Sequence, residues 1–339
     1  MLDLQTAWFL LVGVLLAGYA ILDGFDLGVG ALHLVLARDD RERRVLLNSV
    51  GPVWDGNEVW LLTGGGALFA AFPPVYATVF SGLYLALMLL LTALILRAVA
   101  LEFRSKEASP RWRTWWDRAF AAGSVLPAVL LGVAVGNILR GLPLDAEGEF
   151  AGTFLGLLNP FALVVGLLAL AMVTMQGAAW LFLKTEAELR ERARTAALRA
   201  GWAFFALWCV ATAASGLAAP RTWQAYRSPL AWAAPAVVLV ALAMMRNALV
   251  ARQAGRAFTW SSIAIAALLG IVGQGLYPML VPALGDAAAG LSIYNSASSP
   301  LTLRTMLVIA LLGMPAVVAY TIFIYRSFRG PVMLDEASY

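Results

Sequence analysis

Residues 7–36 read AWFLLVGVLLAGYAILDGFDLGVGALHLVL, and the only charged side chains in this run are Asp23 and Asp26. As an α-helix the run is about 43 Å long at 1.5 Å per residue. That exceeds the roughly 30 Å hydrocarbon core of a bilayer, so a spanning helix must tilt or project from it. Eight further apolar segments follow at about 50–72, 75–98, 116–139, 159–182, 202–219, 229–250, 260–280 and 303–325. None alternates in the way a barrel strand does, and lipid excludes open sheet edges. The expectation is an all-α, polytopic membrane protein of about nine transmembrane helices, with residues 1–339 forming a single integral membrane domain.

Composition agrees. Of 339 residues, 61% are hydrophobic and 13% charged, with a mean hydropathy of +0.80; a soluble domain carries about 25% charged residues. The first segment has no basic region before it and is too long for the apolar stretch of a secretory signal, so it is read as retained. The single cysteine, Cys209, excludes an intrachain disulfide framework and a cysteine-based metal cluster. A pI near 9.4 raises the question of nucleic acid, but the positive charge lies in alternate loops. All but four of the 24 Lys and Arg fall after the first, third, fifth, seventh and ninth segments, and only Arg140, Arg221, Arg227 and Arg304 lie on the other side. By the positive-inside rule the N-terminus is outside and the C-terminus cytoplasmic. Most tryptophans, among them Trp8, Trp115, Trp116 and Trp232, stand at segment ends as interface anchors.

Ionisable residues within the spans need a reason, because an acid at a helix centre costs about 2.5–3.5 kcal/mol on insertion scales. Asp23 and Asp26 are three residues apart, on one face about 60° apart around the axis. Asp55 and Glu58, within Trp54-Asp55-Gly56-Asn57-Glu58-Val59-Trp60, repeat the spacing. With Asp23 near mid-depth, Arg97 ending the third segment and Asp117 beginning the fourth, the other four acids, Asn57 and a guanidinium converge in the cytoplasmic half of one antiparallel bundle. The plain reading is a buried network in which Arg97 pairs with Asp26 or Asp117 and holds helices together. The functional reading is a proton or cation route, in which some acids are protonated at rest because one arginine cannot neutralise them all.

Other features carry less chemistry. Gly24 and Gly28 make a small-xxx-small pattern that suits helix packing. Gln176 and Gln274 read as interhelical hydrogen-bond sites and as quinone candidates. His33, the only histidine, cannot support a multi-haem electron path, and no metal site of this chain's own is expected. No HExxH, CxxCH or P-loop occurs.

Several strings resemble subunit II of cytochrome bd-type ubiquinol oxidases. They are Asp23-Gly24-Phe25-Asp26-Leu27-Gly28-Val29-Gly30, Gly51-Pro52-Val53-Trp54-Asp55-Gly56-Asn57-Glu58-Val59-Trp60, Gly64-Gly65-Gly66, Phe103-Arg104-Ser105-Lys106, Trp116-Asp117, Leu158-Asn159-Pro160-Phe161 and Thr174-Met175-Gln176-Gly177. The likeness is dense over residues 20–182. It implies two four-helix bundles plus one peripheral helix. It implies also a partner subunit I that carries haems b and d and oxidises ubiquinol or menaquinol, a small single-helix accessory subunit and a structural quinone in some members, and a multi-pass place in a bacterial inner membrane. Within the family the aspartate of Trp-Asp-Gly-Asn is associated with proton entry at the subunit interface, here Asp55. Asp26, Arg97 and Asp117 match positions linked to the partner's haem site, with Trp54 and Asn57 beside them. Glu58 stands where the family has glutamine, adding a titratable group. The stretch around 219–230 is short against longer members.

The reading is therefore a subunit of an electrogenic quinol:oxygen oxidoreductase that is not catalytic alone. It contacts lipid and quinone but not nucleic acid, with Asp55, Glu58, Asp23 and Asp26 as the proton pathway. The rival is a stand-alone proton- or sodium-coupled secondary transporter, which would want a matching carboxylate cluster in the second half. A passive assembly scaffold predicts that Asp55→Asn retains both haem content and turnover.

Overall fold

The structure is a computed structural model that describes residues 3–285 and 290–334; residues 286–289 of the external connection expected at 281–302 lie outside the described residues. The helices are α1 (Leu4–Leu36), α2 (Asp40–Val50), α3 (Trp54–Ala71), α4 (Pro73–Gly82), α5 (Tyr84–Phe103), α6 (Pro110–Arg140), α7 (Pro160–Lys184), α8 (Ala187–Ala218), α9 (Ala233–Val250), α10 (Ala254–Leu276) and α11 (Pro300–Ser327). A short antiparallel pair, β1 (Met279–Val281) and β2 (Leu291–Ser292), lies between α10 and α11. Helix starts follow local chemistry. Asp3, Asp39, Asn159 and Ser299 each accept a first-turn backbone N–H, and Pro160 and Pro300 occupy first positions where no N–H is needed. The Thr6 N–H holds the exposed Asp3 carboxyl below its usual range.

Eight helices are long and apolar enough to cross a bilayer, counted among the described residues by length and composition. α3 is not one of them: its 18 residues include Asp55, Asn57, Glu58 and three consecutive glycines. The segment expected at 75–98 is divided at Leu83 into α4 and α5, where the Phe150 ring packs so closely on Gly82 that a Cβ there would come within 2.7 Å of it. The segment expected at 202–219 is the second half of α8, which starts at Ala187 because its charged first turns are helical without being apolar. An amphipathic helix, α2, precedes α3, turning Leu46, Leu47 and Val50 inward and leaving Asp40 and Arg41 exposed.

α1, α3, α5 and α6 pack as one group and α7–α10 as another, joined where α7 packs against both α6 and α1. That join is close. A Cβ on Gly28 would lie 1.9 Å from the Val173 carbonyl oxygen, and one on Gly177 would lie 2.4 Å from the backbone of Gly28. α11 stands outside both groups, touching α1 and α3, and none of its most apolar stretch is buried.

Candidate functional site

Two polar clusters lie along α1, about 10 Å apart on its axis as judged by the seven residues between Asp26 and His33. The first is fully buried. Arg97 of α5 donates to both oxygens of Asp23, Nη1 to Oδ2 at 3.0 Å and Nη2 to Oδ1 at 2.5 Å. This corrects the expected pairing of Arg97 with Asp26 or Asp117. One turn on, Asp26 has no cation of its own: its Oδ2 accepts from Asn57 Nδ2 at 2.7 Å, and its Oδ1 has no hydrogen-bond partner among the described residues. The Asn57 side-chain Oδ1 accepts from the Tyr325 hydroxyl of α11 at 2.9 Å. Tyr325 also meets Phe25 and Trp180 edge-on, while Phe25 stacks on Trp180 with ring centroids 4.2 Å apart. Trp54 is half-buried against the same core.

Glu58 is half-buried, within electrostatic reach of Arg97, Asp23 and Asp55. Asp55 is exposed in the isolated chain. It opens a face of α3 that continues through Val59, Leu62, Gly66 and Phe69, all exposed and spaced three or four residues apart.

Asp117 belongs to the second cluster. The expected single site is two because Asp117 lies two turns into α6, level with the end of α1, whereas Arg97 meets α1 a third of its length back. Asp117 accepts from Arg104 Nε at 2.5 Å and Arg43 Nη1 at 2.8 Å, and its Oδ1 is 2.6 Å from His33 Nε2. Arg104 and Arg113 then share Asp40, both at short range. Sequence reasoning gives Arg43, Arg104 and Tyr325 no place in the site and considers His33 only as a metal or haem ligand. The two arginines count in the sequence as topology signals and parts of family-like strings, and a tyrosine at a segment end looks like an interface anchor. His33 is engaged at Nε2 by Asp117 and packs edge-on against Phe120, while its buried Nδ1 has no hydrogen-bond partner among the described residues. No group of three or more His, Cys, Asp or Glu suited to a metal occurs among the described residues.

The two glutamines differ. Gln176 is buried with both polar atoms engaged: Nε2 donates to Ser262 Oγ at 2.9 Å, and Oε1 accepts from Ser261 Oγ at 2.5 Å. Gln274 keeps its Oε1 without a hydrogen-bond partner among the described residues. Beside it the stretch Pro220–Arg227 folds as 3₁₀ turns, placing Thr222 against Gly275.

Comparison with known proteins agrees with this arrangement. Residues 4–328 match the family model described as cytochrome bd terminal oxidase subunit II. The chain is 38% identical to the cytochrome bd-I ubiquinol oxidase subunit 2 of Escherichia coli K12, over 98% of this chain and 96% of that one. It is 35% identical to the cytochrome bd ubiquinol oxidase subunit 2 of Bacillus subtilis, over 99% of each. A solved bd oxidase structure from Geobacillus thermodenitrificans superposes with a TM-score of 0.80 at 18% identity, covering 96% of this chain and 98% of that one, which speaks for the fold. The chain belongs to the cytochrome bd terminal oxidase subunit II family.

Proposed function

We propose that this chain is the haem-free second subunit of a bd-type quinol oxidase in a bacterial inner membrane, bracing the haem-carrying subunit I and giving protons a route in from the cytoplasm. Haems b and d, held by subunit I, supply the oxygen-reducing chemistry, with ubiquinol or menaquinol as the electron source. The observation that supports the proton role is the exposed face of α3. A carboxylate facing hydrocarbon costs a few kcal/mol, so Asp55 with Val59, Leu62 and Phe69 makes a face suited to a protein partner and a hydrated seam rather than to lipid.

From that seam the acids become steadily less accessible, from exposed Asp55 to half-buried Glu58 to buried Asp26. Asp55 takes up the proton, Glu58 relays it, and Asp26 holds it through the oxygen that Asn57 leaves free. Asp23, clamped by Arg97, shapes the local field instead of carrying protons. Asp117, Arg97, Asn57 and Trp54 hold α1, α3, α5 and α6 in the register that the haem subunit rests on. A structural quinone, in members that keep one here, would find Gln176 already engaged and Gln274 with a free acceptor.

The test begins with affinity purification of the tagged chain in mild detergent and a reduced-minus-oxidised visible spectrum. A larger membrane subunit with b- and d-type bands should accompany it. In that complex Asp55→Asn should keep the spectrum and lose oxygen uptake by about tenfold or more, a rise of about 1.4 kcal/mol in the limiting barrier. A colourless chain that purifies alone would overturn the oxidase reading, and normal turnover by Asp55→Asn would overturn the proton route.

A further inference from the structure

Arginines at the end of the molecule where α2 meets α6 fall into two kinds. Arg43, Arg104 and Arg113 are tied to Asp117 and Asp40. Arg111 and Arg118 are exposed, and among the described residues neither has an ion pair or hydrogen bond. They stand two turns apart on one face of α6, with Thr114 and Trp115 between them, and these four residues and Pro110 line a shallow groove of about 370 Å³. Trp115 is 62% exposed.

Toward the membrane interior the same face continues through Ala122 and Leu126, both exposed and uncharged. One continuous strip therefore carries two uncompensated guanidiniums with an indole between them, then exposed apolar surface. That order matches a phospholipid, whose charged headgroup sits above its acyl chains. Guanidinium binds phosphate through paired N–H donors in a fixed fork, and a tryptophan at headgroup depth offers an N–H beside an apolar ring. A soluble phosphate would use the guanidiniums but leave the strip below them uncovered.

We infer that the Arg111–Trp115–Arg118 face of α6 is a binding site for the headgroup of an anionic phospholipid, whose chains lie along Ala122 and Leu126. This site is separate from the proton cluster, so it stands or falls without the functional reading above.

The experiment uses the intact oxidase, delipidated and reconstituted in nanodiscs of phosphatidylcholine with increasing phosphatidylglycerol, with bound lipid read by native mass spectrometry. Phosphatidylglycerol should be retained over phosphatidylcholine. Each arginine near the surface contributes roughly 1 kcal/mol toward anionic lipid, so Arg111→Gln and Arg118→Gln should each weaken retention about fivefold. The same charge change on the opposite side, Arg221→Gln with Arg227→Gln, should leave it unchanged. Equal retention by the α6 variants would overturn the site. So would displacement of the lipid by inorganic phosphate at matched concentration, or α6 variants that shed the partner subunit while keeping the lipid.

Discussion

Arg97 grips Asp23 with two nitrogens in a fully buried place, and its neighbour Asp26 makes do with an amide. Removing one member of a buried ion pair costs about 3–5 kcal/mol, because the survivor is left charged and alone. Arg97→Gln should therefore sharply lower the temperature at which the purified complex loses its haem spectrum. Adding Asp23→Asn to that variant should recover much of the loss, whereas Asp26→Asn in the same background should not. The acids and the arginine were legible one by one, since charge inside an apolar run stands out. Their pairing was not. Two carboxylates about 60° apart on α1 look alike until the rotation of α5 is known, and nothing local to Arg97 sets that rotation. The role of His33 was hidden for another reason: as the only histidine it invites a ligand reading, and its actual partner lies 84 residues away.

Helices α1 and α7 touch backbone to backbone at Gly28 and Gly177, while a Cβ on Gly24 would meet Val173 only at an ordinary 3.7 Å. Gly24→Ala should be neutral. Gly28→Ala must push two main chains apart, with a cost of about 1–3 kcal/mol or more, visible as lower expression of folded complex and a lower melting temperature. The small-residue pattern flagged both glycines, and only the crossing point tells them apart. The ends of elements were less legible than their middles. α8 begins 15 residues before its expected apolar core, because salt-bridged turns are helical without being hydrophobic, and Arg192 of that extension meets Glu42 of α2. α11 offers a third test at this scale. Tyr325→Phe keeps the ring against Phe25 and Trp180 but frees the Asn57 amide to turn. Turnover should fall and its pH profile should change while the haem spectrum holds; an unchanged profile would mean that the ring alone matters.

Seen whole, the molecule is lopsided. All the buried carboxylates among the described residues, Asp23, Asp26 and Asp117, lie on α1 and α6, and α7–α10 hold none, which counts against a transporter built from two matched halves. The apolar surface is likewise unequal: Leu62 on α3 is 71% exposed. A cysteine placed there by Leu62→Cys, with Cys209→Ser as background, should react with a membrane-permeant maleimide in the isolated chain and be protected in the assembled oxidase. Equal labelling in both states would place the partner elsewhere. Helix number and hydrophobicity made the class of molecule plain, but which faces lipid covers and which protein covers depends on a second chain that one sequence does not contain. The bond from Tyr325 to Asn57 joins residues 268 apart in sequence. At about 5–20 residues per second of synthesis, Asn57 leaves the ribosome some 13–54 s before the hydroxyl that steadies it. For that interval the Asn57 side chain, already beside Asp26, waits for the partner that fixes its orientation, so this corner of the site is completed only when the last helix arrives.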